Sequence, residues 1–153
     1  MRTERNIGCR PGRPVMALVL LGVLVLGSGC LADPQRLQTA RLFDALVDAR
    51  LALSEQPPRL DAGCATVGDV SSRLYGEPGL VDVRPAWPAL RAAADALQAV
   101  CGQQRLLEQP FEPTAAMLAA RARWQRGVAA ELASACRHLV DGAAALSRAA
   151  PAC

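Results

Sequence analysis

Cysteine is the residue type with the most chemical scope in this chain, and six are present, at positions 9, 30, 64, 101, 136 and 153. No two form a CxxC pair, and the wide spacing from Cys64 to Cys101, Cys136 and Cys153 does not resemble a structural zinc site. The run Cys136-Arg137-His138 lacks the first cysteine of a haem-attachment motif. His138 is the only histidine. A histidine-rich metal centre or a histidine-paired nucleophile therefore has little material, and the expectation is no metal and no cofactor. What remains for the cysteines is cross-linking or covalent modification.

Other candidates for chemistry are weaker. Asp44 and Asp48 lie one helical turn apart, which can bring two carboxylates together, but a solvated helix face explains them better. The glycines at 63, 68, 76 and 79 have neither P-loop nor dinucleotide-binding spacing. Arg121 and Arg123 flank Trp124, a grouping that can offer cations beside an aromatic ring. The favoured reading makes Trp124 part of a core stripe whose edges the arginine stems cover. No serine or cysteine comes with both a base and a shaped pocket, so the chain reads as non-catalytic.

At the start of the chain, Arg2, Arg5, Arg10 and Arg13 stand against the single acid Glu4, and an uncharged apolar run follows from Val15 to Leu26. A bilayer-crossing helix needs about 20 apolar residues, so this shorter run reads as a signal peptide. Leu26-Gly27-Ser28-Gly29-Cys30 then places small residues before a cysteine. This resembles the lipobox of bacterial lipoproteins, in which the cysteine sulfur takes a diacylglycerol and a peptidase cuts in front of it. The resemblance covers residues 1–30 and implies a signal peptide at 1–29, lipidation of Cys30, and a single domain from 30 to 153. It further implies a protein anchored in the cell envelope. Leu31 is not the aspartate that retains some lipoproteins in the inner membrane, so the periplasmic side of the outer membrane is favoured in a Gram-negative cell.

Cleavage before Cys30 also changes the charge balance. All 17 basic residues are arginine, and the region before Cys30 holds four of them and one of the 14 acids, leaving 13 of each. The domain is neutral, so the basic balance of the whole chain does not point to nucleic acid, whose footprint needs clustered excess positive charge, and no nucleic-acid partner is expected. Cys9 leaves with the signal, and four cysteines remain, an even number that in an exported chain reads as two disulfides.

The elements that would position these cysteines are helical. Asp33-Pro34 suits a helix start, and Leu42, Phe43, Leu46 and Leu53 share one side of a helix that Gln56-Pro57-Pro58 stops near Ser54. Only Leu31 and Ala32 separate Cys30 from that start, so the domain is expected close to the membrane. Residues 55–86 are rich in glycine and proline and read as irregular, with a short helix around Asp69 to Tyr75. Trp87, Leu90, Ala94, Leu97 and Cys101 recur at helical spacing, with Arg91 and Asp95 as an i,i+4 pair and Gly102 as a terminator. Thr114 can cap a long helix carrying Met117, Trp124, Val128, Leu132, Ala135, Leu139 and Leu146, with a break or bend at Gly142. The fold class expected is all-α: an irregular bundle of three main helices plus a short one, stapled by disulfides.

Helix length constrains the pairing. If the last two helices fold back on each other near residue 111, Cys101 lies near the turn and Cys136 on the order of 35 Å beyond it, at 1.5 Å per residue. Disulfide Cα atoms must approach to roughly 4.4–6.8 Å. Cys101 with Cys136 is therefore disfavoured. Cys64–Cys101 with Cys136–Cys153 is favoured, and Cys64–Cys136 with Cys101–Cys153 is the rival.

The function expected is that of a membrane-anchored envelope lipoprotein whose helical domain binds or stabilises another envelope protein. In size and helical character it resembles the small pilotin lipoproteins that escort secretin subunits to the outer membrane, without a shared motif. A surface inhibitor, immunity or exclusion lipoprotein is the second class, and a small-ligand carrier the third.

Overall fold

The computed structural model describes residues 34–76 and 85–153. Cys9, the signal-like segment, Cys30 and Asp33 lie outside the described residues. Four helices account for most of what is described, and no strand occurs among these residues: α1 (Pro34–Ser54), α2 (Leu60–Gly76), α3 (Trp87–Glu108) and α4 (Ala115–Ala145). The chain is an all-α, disulfide-stapled bundle.

The short helix expected within 55–86 is instead a 17-residue element, and this is the main correction to the sequence reading. Gly63 and Gly68 lie inside it rather than punctuating it. Gly63 is buried, and a Cβ there would stand 2.8 Å from Cγ of Leu53, so the glycine permits close approach of α1 and α2. Val67, Val70 and Leu74 then form its buried stripe. Two further terminators fail: α3 runs six residues past Gly102 to Glu108, and α4 passes through Gly142 to Ala145. Gly142 is also a packing glycine, with Leu90 Cδ2 at 3.3 Å and Phe43 Cδ2 at 3.7 Å from where its Cβ would be.

Cross-helix contacts fix an up-down-up-down course. Phe43, Leu90 and Gly142 share one level, while Leu53 and Gln104 share another, because Gln104 Nε2 donates to the Leu53 carbonyl at 3.1 Å. Helices α1 and α3 thus run parallel. Cys64 meets Cys101 and Tyr75 meets Asp95, so α2 runs opposite to both. Gly127 faces Gln103, which makes α3 and α4 an antiparallel hairpin.

The core is aliphatic, as a chain with 3% aromatic residues requires. Leu46, Leu74, Leu90, Leu97 and Leu139 are fully buried, around Trp87 at the start of α3. Burial of each such leucine contributes about 1.5–3 kcal/mol. Helix α3 supplies most of the centre, through Leu90, Ala93, Ala94, Leu97, Val100 and Cys101. None of the described helices is long and apolar enough to cross a membrane.

Candidate functional site

Both cysteine pairs are within bonding reach. Cys64 and Cys101 join α2 to α3 with a Cα separation of 5.8 Å, and Cys136 and Cys153 join α4 to the segment after it at 6.0 Å. Their surroundings differ. Cys101 is buried and Cys64 packs against the core. Cys136 is buried as well, but its partner Cys153 is exposed.

Helix α4 has two unlike halves. Thr114 caps its start, its hydroxyl accepting from the Met117 amide at 3.2 Å, which satisfies one of the free donors of the first turn. From Ala115 to Ser134 no residue is buried, whereas Ala135, Cys136, Leu139, Gly142 and Ala143 all are. With Gly127 level with Gln103, about 12 residues of α4 precede that level, roughly 18 Å of helix at 1.5 Å per residue. This overhang outreaches the turn between α1 and α2, where Arg59 N–H donates to the Ala52 carbonyl.

Trp124 stands on the overhang, half-buried and outside the core cluster, so the sequence expectation that it is a core residue is corrected. Its neighbour Gln125 lines a hollow with Leu60 at the start of α2 and Leu107 near the end of α3, so the packing around this level is incomplete. Arg121 does not flank it as a free cation; its guanidinium lies 4.3 Å from the centroid of the Phe111 ring. Leu118 is 52% exposed and Leu106 39%. The overhang thus carries an apolar surface with arginines at its margin. At its base, a hollow of about 300 Å³ is lined by Pro58, Leu60, Leu107 and Val128 with Gln104, Glu108 and Gln125.

Comparison with protein families, curated proteins and solved structures finds no match for this chain. The site must therefore be read from its own geometry.

The other residues weighed for chemistry are dispersed. Asp44 accepts from Arg148 at 2.8 Å across to the segment after α4, and no hydrogen bond joins it to Asp48. His138 is half-buried on α4. Arg91 and Asp95 do not pair with each other as their spacing suggested. Arg91 forks onto the Leu74 carbonyl through Nε at 3.1 Å and a terminal nitrogen at 2.7 Å, satisfying a carbonyl in the last turn of α2. Asp95 accepts from the Tyr75 hydroxyl, at 2.8 and 2.7 Å from its two oxygens, while Arg91 lies 4.7 Å from the Tyr75 ring centroid. The hydrogen bond to Asp95, then burial, raises the Tyr75 phenol above its ordinary pKa. This cluster clamps α2 to α3, and sequence reasoning missed it because Tyr75 is 20 residues from its partner. At the α1–α2 turn, Arg59 forks onto Glu55 at 2.6 Å twice and lowers the pKa of that carboxyl. Among the described residues, no group of three histidine, cysteine or acidic side chains is placed to hold a metal ion.

Proposed function

We propose that the chain is an envelope lipoprotein, lipidated at Cys30, whose non-catalytic helical domain binds or stabilises another envelope protein through the overhanging end of α4. The observation that carries this reading is the incomplete cover of that end: no residue from Ala115 to Ser134 is buried, Leu118 is 52% exposed, and Trp124 is only half-buried. An exposed leucine and a half-buried tryptophan on one stretch of helix support a partner there, since tryptophan and arginine are the side chains that most often dominate such interfaces.

The lipobox-like sequence supplies the anchor, and α1 begins at Pro34, four positions beyond Cys30. The start of α1 would stand beside the membrane. The overhang lies at the other end of the bundle, because the end of α1 is level with Gln104. With 19 residues from Pro34 to Leu53, that level is about 28 Å along the helix from its start. Such an arrangement suits recognition of a neighbouring envelope protein better than contact with lipid.

The test is crosslinking in intact membranes followed by purification of the wild-type chain and of the Leu118→Glu variant. One protein recovered with the wild type and lost with the variant, at equal expression, supports the reading. Recovery of the chain alone under several growth conditions contradicts it. A deletion strain that becomes sensitive to one specific attack, without a recovered partner, would instead favour the immunity or exclusion class. The carrier class calls for an enclosed apolar cavity, whereas the groove of about 740 Å³ between α1 and α4 has exposed Ala129, Ala133 and Val140 in its wall.

A further inference from the structure

We infer that Cys136–Cys153 is a reducible strap: a dithiol reductant opens it, the segment 147–153 leaves α1, and the groove between α1 and α4 is uncovered, while Cys64–Cys101 stays closed. This inference is independent of lipidation and of the overhang.

The segment after α4 is held almost entirely by polar contacts at the surface. Arg148 donates to the Ala40 carbonyl at 3.1 Å, pairs with Asp44 at 2.8 Å and lies 5.2 Å from the Phe43 ring centroid. Arg50 donates to the Ala152 carbonyl at 3.0 Å. Residues 147–150, 152 and 153 are exposed and Pro151 is half-buried. Exposed ion pairs and hydrogen bonds of this kind hold a segment weakly. The covalent bond is what keeps it in place.

On one side of the segment lies the groove lined by Arg50, Leu132, Cys136, Val140 and Cys153. On the other is a hollow of about 540 Å³ lined by Phe43, Val47 and Pro151 with the charged Asp44, Asp48 and Arg148. Both contain residues of the segment, so its departure joins them into one trough along α1 and α4, with an apolar floor from Phe43, Val47, Leu132 and Val140 and charged residues at its margins.

The chemistry starts at the exposed sulfur. A reductant thiolate attacks Cys153 Sγ, the electron pair of the sulfur–sulfur bond leaves on Cys136 Sγ, and that sulfur takes up a proton. The reductant's second thiol then displaces Cys153 as a thiolate, which is protonated in turn, and the reductant ends as its own disulfide. Two electrons pass from the dithiol to the protein. Arg50, which lines the same groove as both sulfurs and whose Nε has no hydrogen-bond partner, favours the departing thiolate by its charge. The core pair offers a narrower entry, because Cys101 is buried and Cys64 is half-buried and packs against the core, whereas Cys153 is exposed.

The test titrates the full chain with dithiothreitol, traps free thiols with a maleimide, and follows amide hydrogen exchange. Cys136 and Cys153 should be labelled at about tenfold lower reductant than Cys64 and Cys101, with faster exchange in 40–50 and 132–140 at that same concentration. Cys153→Ser should produce the same faster exchange without reductant and with helix content retained. Reduction of both pairs together, reduction of Cys64–Cys101 first, or unchanged exchange in 40–50 after the strap is cut would each overturn the inference.

Discussion

The two halves of α4 carry the same apolar periodicity and meet different fates. Met117, Trp124, Val128 and Leu132 continue the stripe that Ala135 and Leu139 complete, yet only the second group is buried. The second half lies between α3 and α1, with Leu90 and Phe43 against Gly142. The first half has α3 and the Phe111 loop, and from the other two helices only the start of α2 approaches it, where Leu60 lines a hollow with Gln125 and Val128. Periodicity states which face turns inward; it does not state whether a neighbour is there to receive it. The half-open apolar face is the surface we propose for a partner.

The largest expected difference between the halves is in truncation. Leu139→Ala should cost on the order of 2–5 kcal/mol of stability, because Leu139 is fully buried and the surrounding leucines cannot collapse into the space. Val128→Ala, at a half-buried position, should cost about 1 kcal/mol or less. Urea unfolding of the two variants measures both, and equal losses would break the distinction.

The glycines sharpen it with a difference of sign. A Cβ at Gly127 meets only the end of the flexible Gln103 side chain, so Gly127→Ala should stabilise by up to about 1 kcal/mol through helix propensity. At Gly142 the same Cβ presses on buried Leu90, and Gly142→Ala should destabilise by roughly 1 kcal/mol as packing strain exceeds that gain. Thermal unfolding reads the two directions. Stabilisation at both sites would mean that α4 is equally loose along its length.

The smallest effect lies on α2 and α3 and serves as a reference for the packed body. Tyr75 is the only tyrosine, so its ionisation can be followed by absorbance alone. Its pKa is raised in the folded protein, so its contribution to stability is full below the unfolded value of about 10 and is lost as pH rises through the folded value. Asp95→Asn should move the midpoint down toward the ordinary value, and a midpoint already there in the wild type would remove the clamp from the account.

How much of this was legible in the sequence depends on what each signal reports. The stripe from Trp87 to Cys101 identified α3, since a helix buried along most of its length shows its period clearly. The disulfide partners could be narrowed by helix length alone, because 1.5 Å per residue separates Cys101 from Cys136 once the chain turns back between them. Helix α2 was underestimated because Gly63 is read as a breaker from sequence, while in the fold it admits Leu53. The Arg91–Asp95 spacing suggested a local pair, yet each found a partner on α2, an arrangement that depends on which helix arrives alongside. The overhang was hidden for the same reason: the lengths of α1 and α2 relative to the hairpin decide it, and no local pattern encodes that difference.

The central claim is that the body stands at a membrane by its α1 end and offers its far end to a partner. Mass spectrometry of the mature amino terminus tests it most directly. The account predicts a chain that starts at Cys30 and carries a diacylglycerol on its sulfur. An unacylated terminus beginning elsewhere would contradict it and return the domain to an ordinary exported helical bundle.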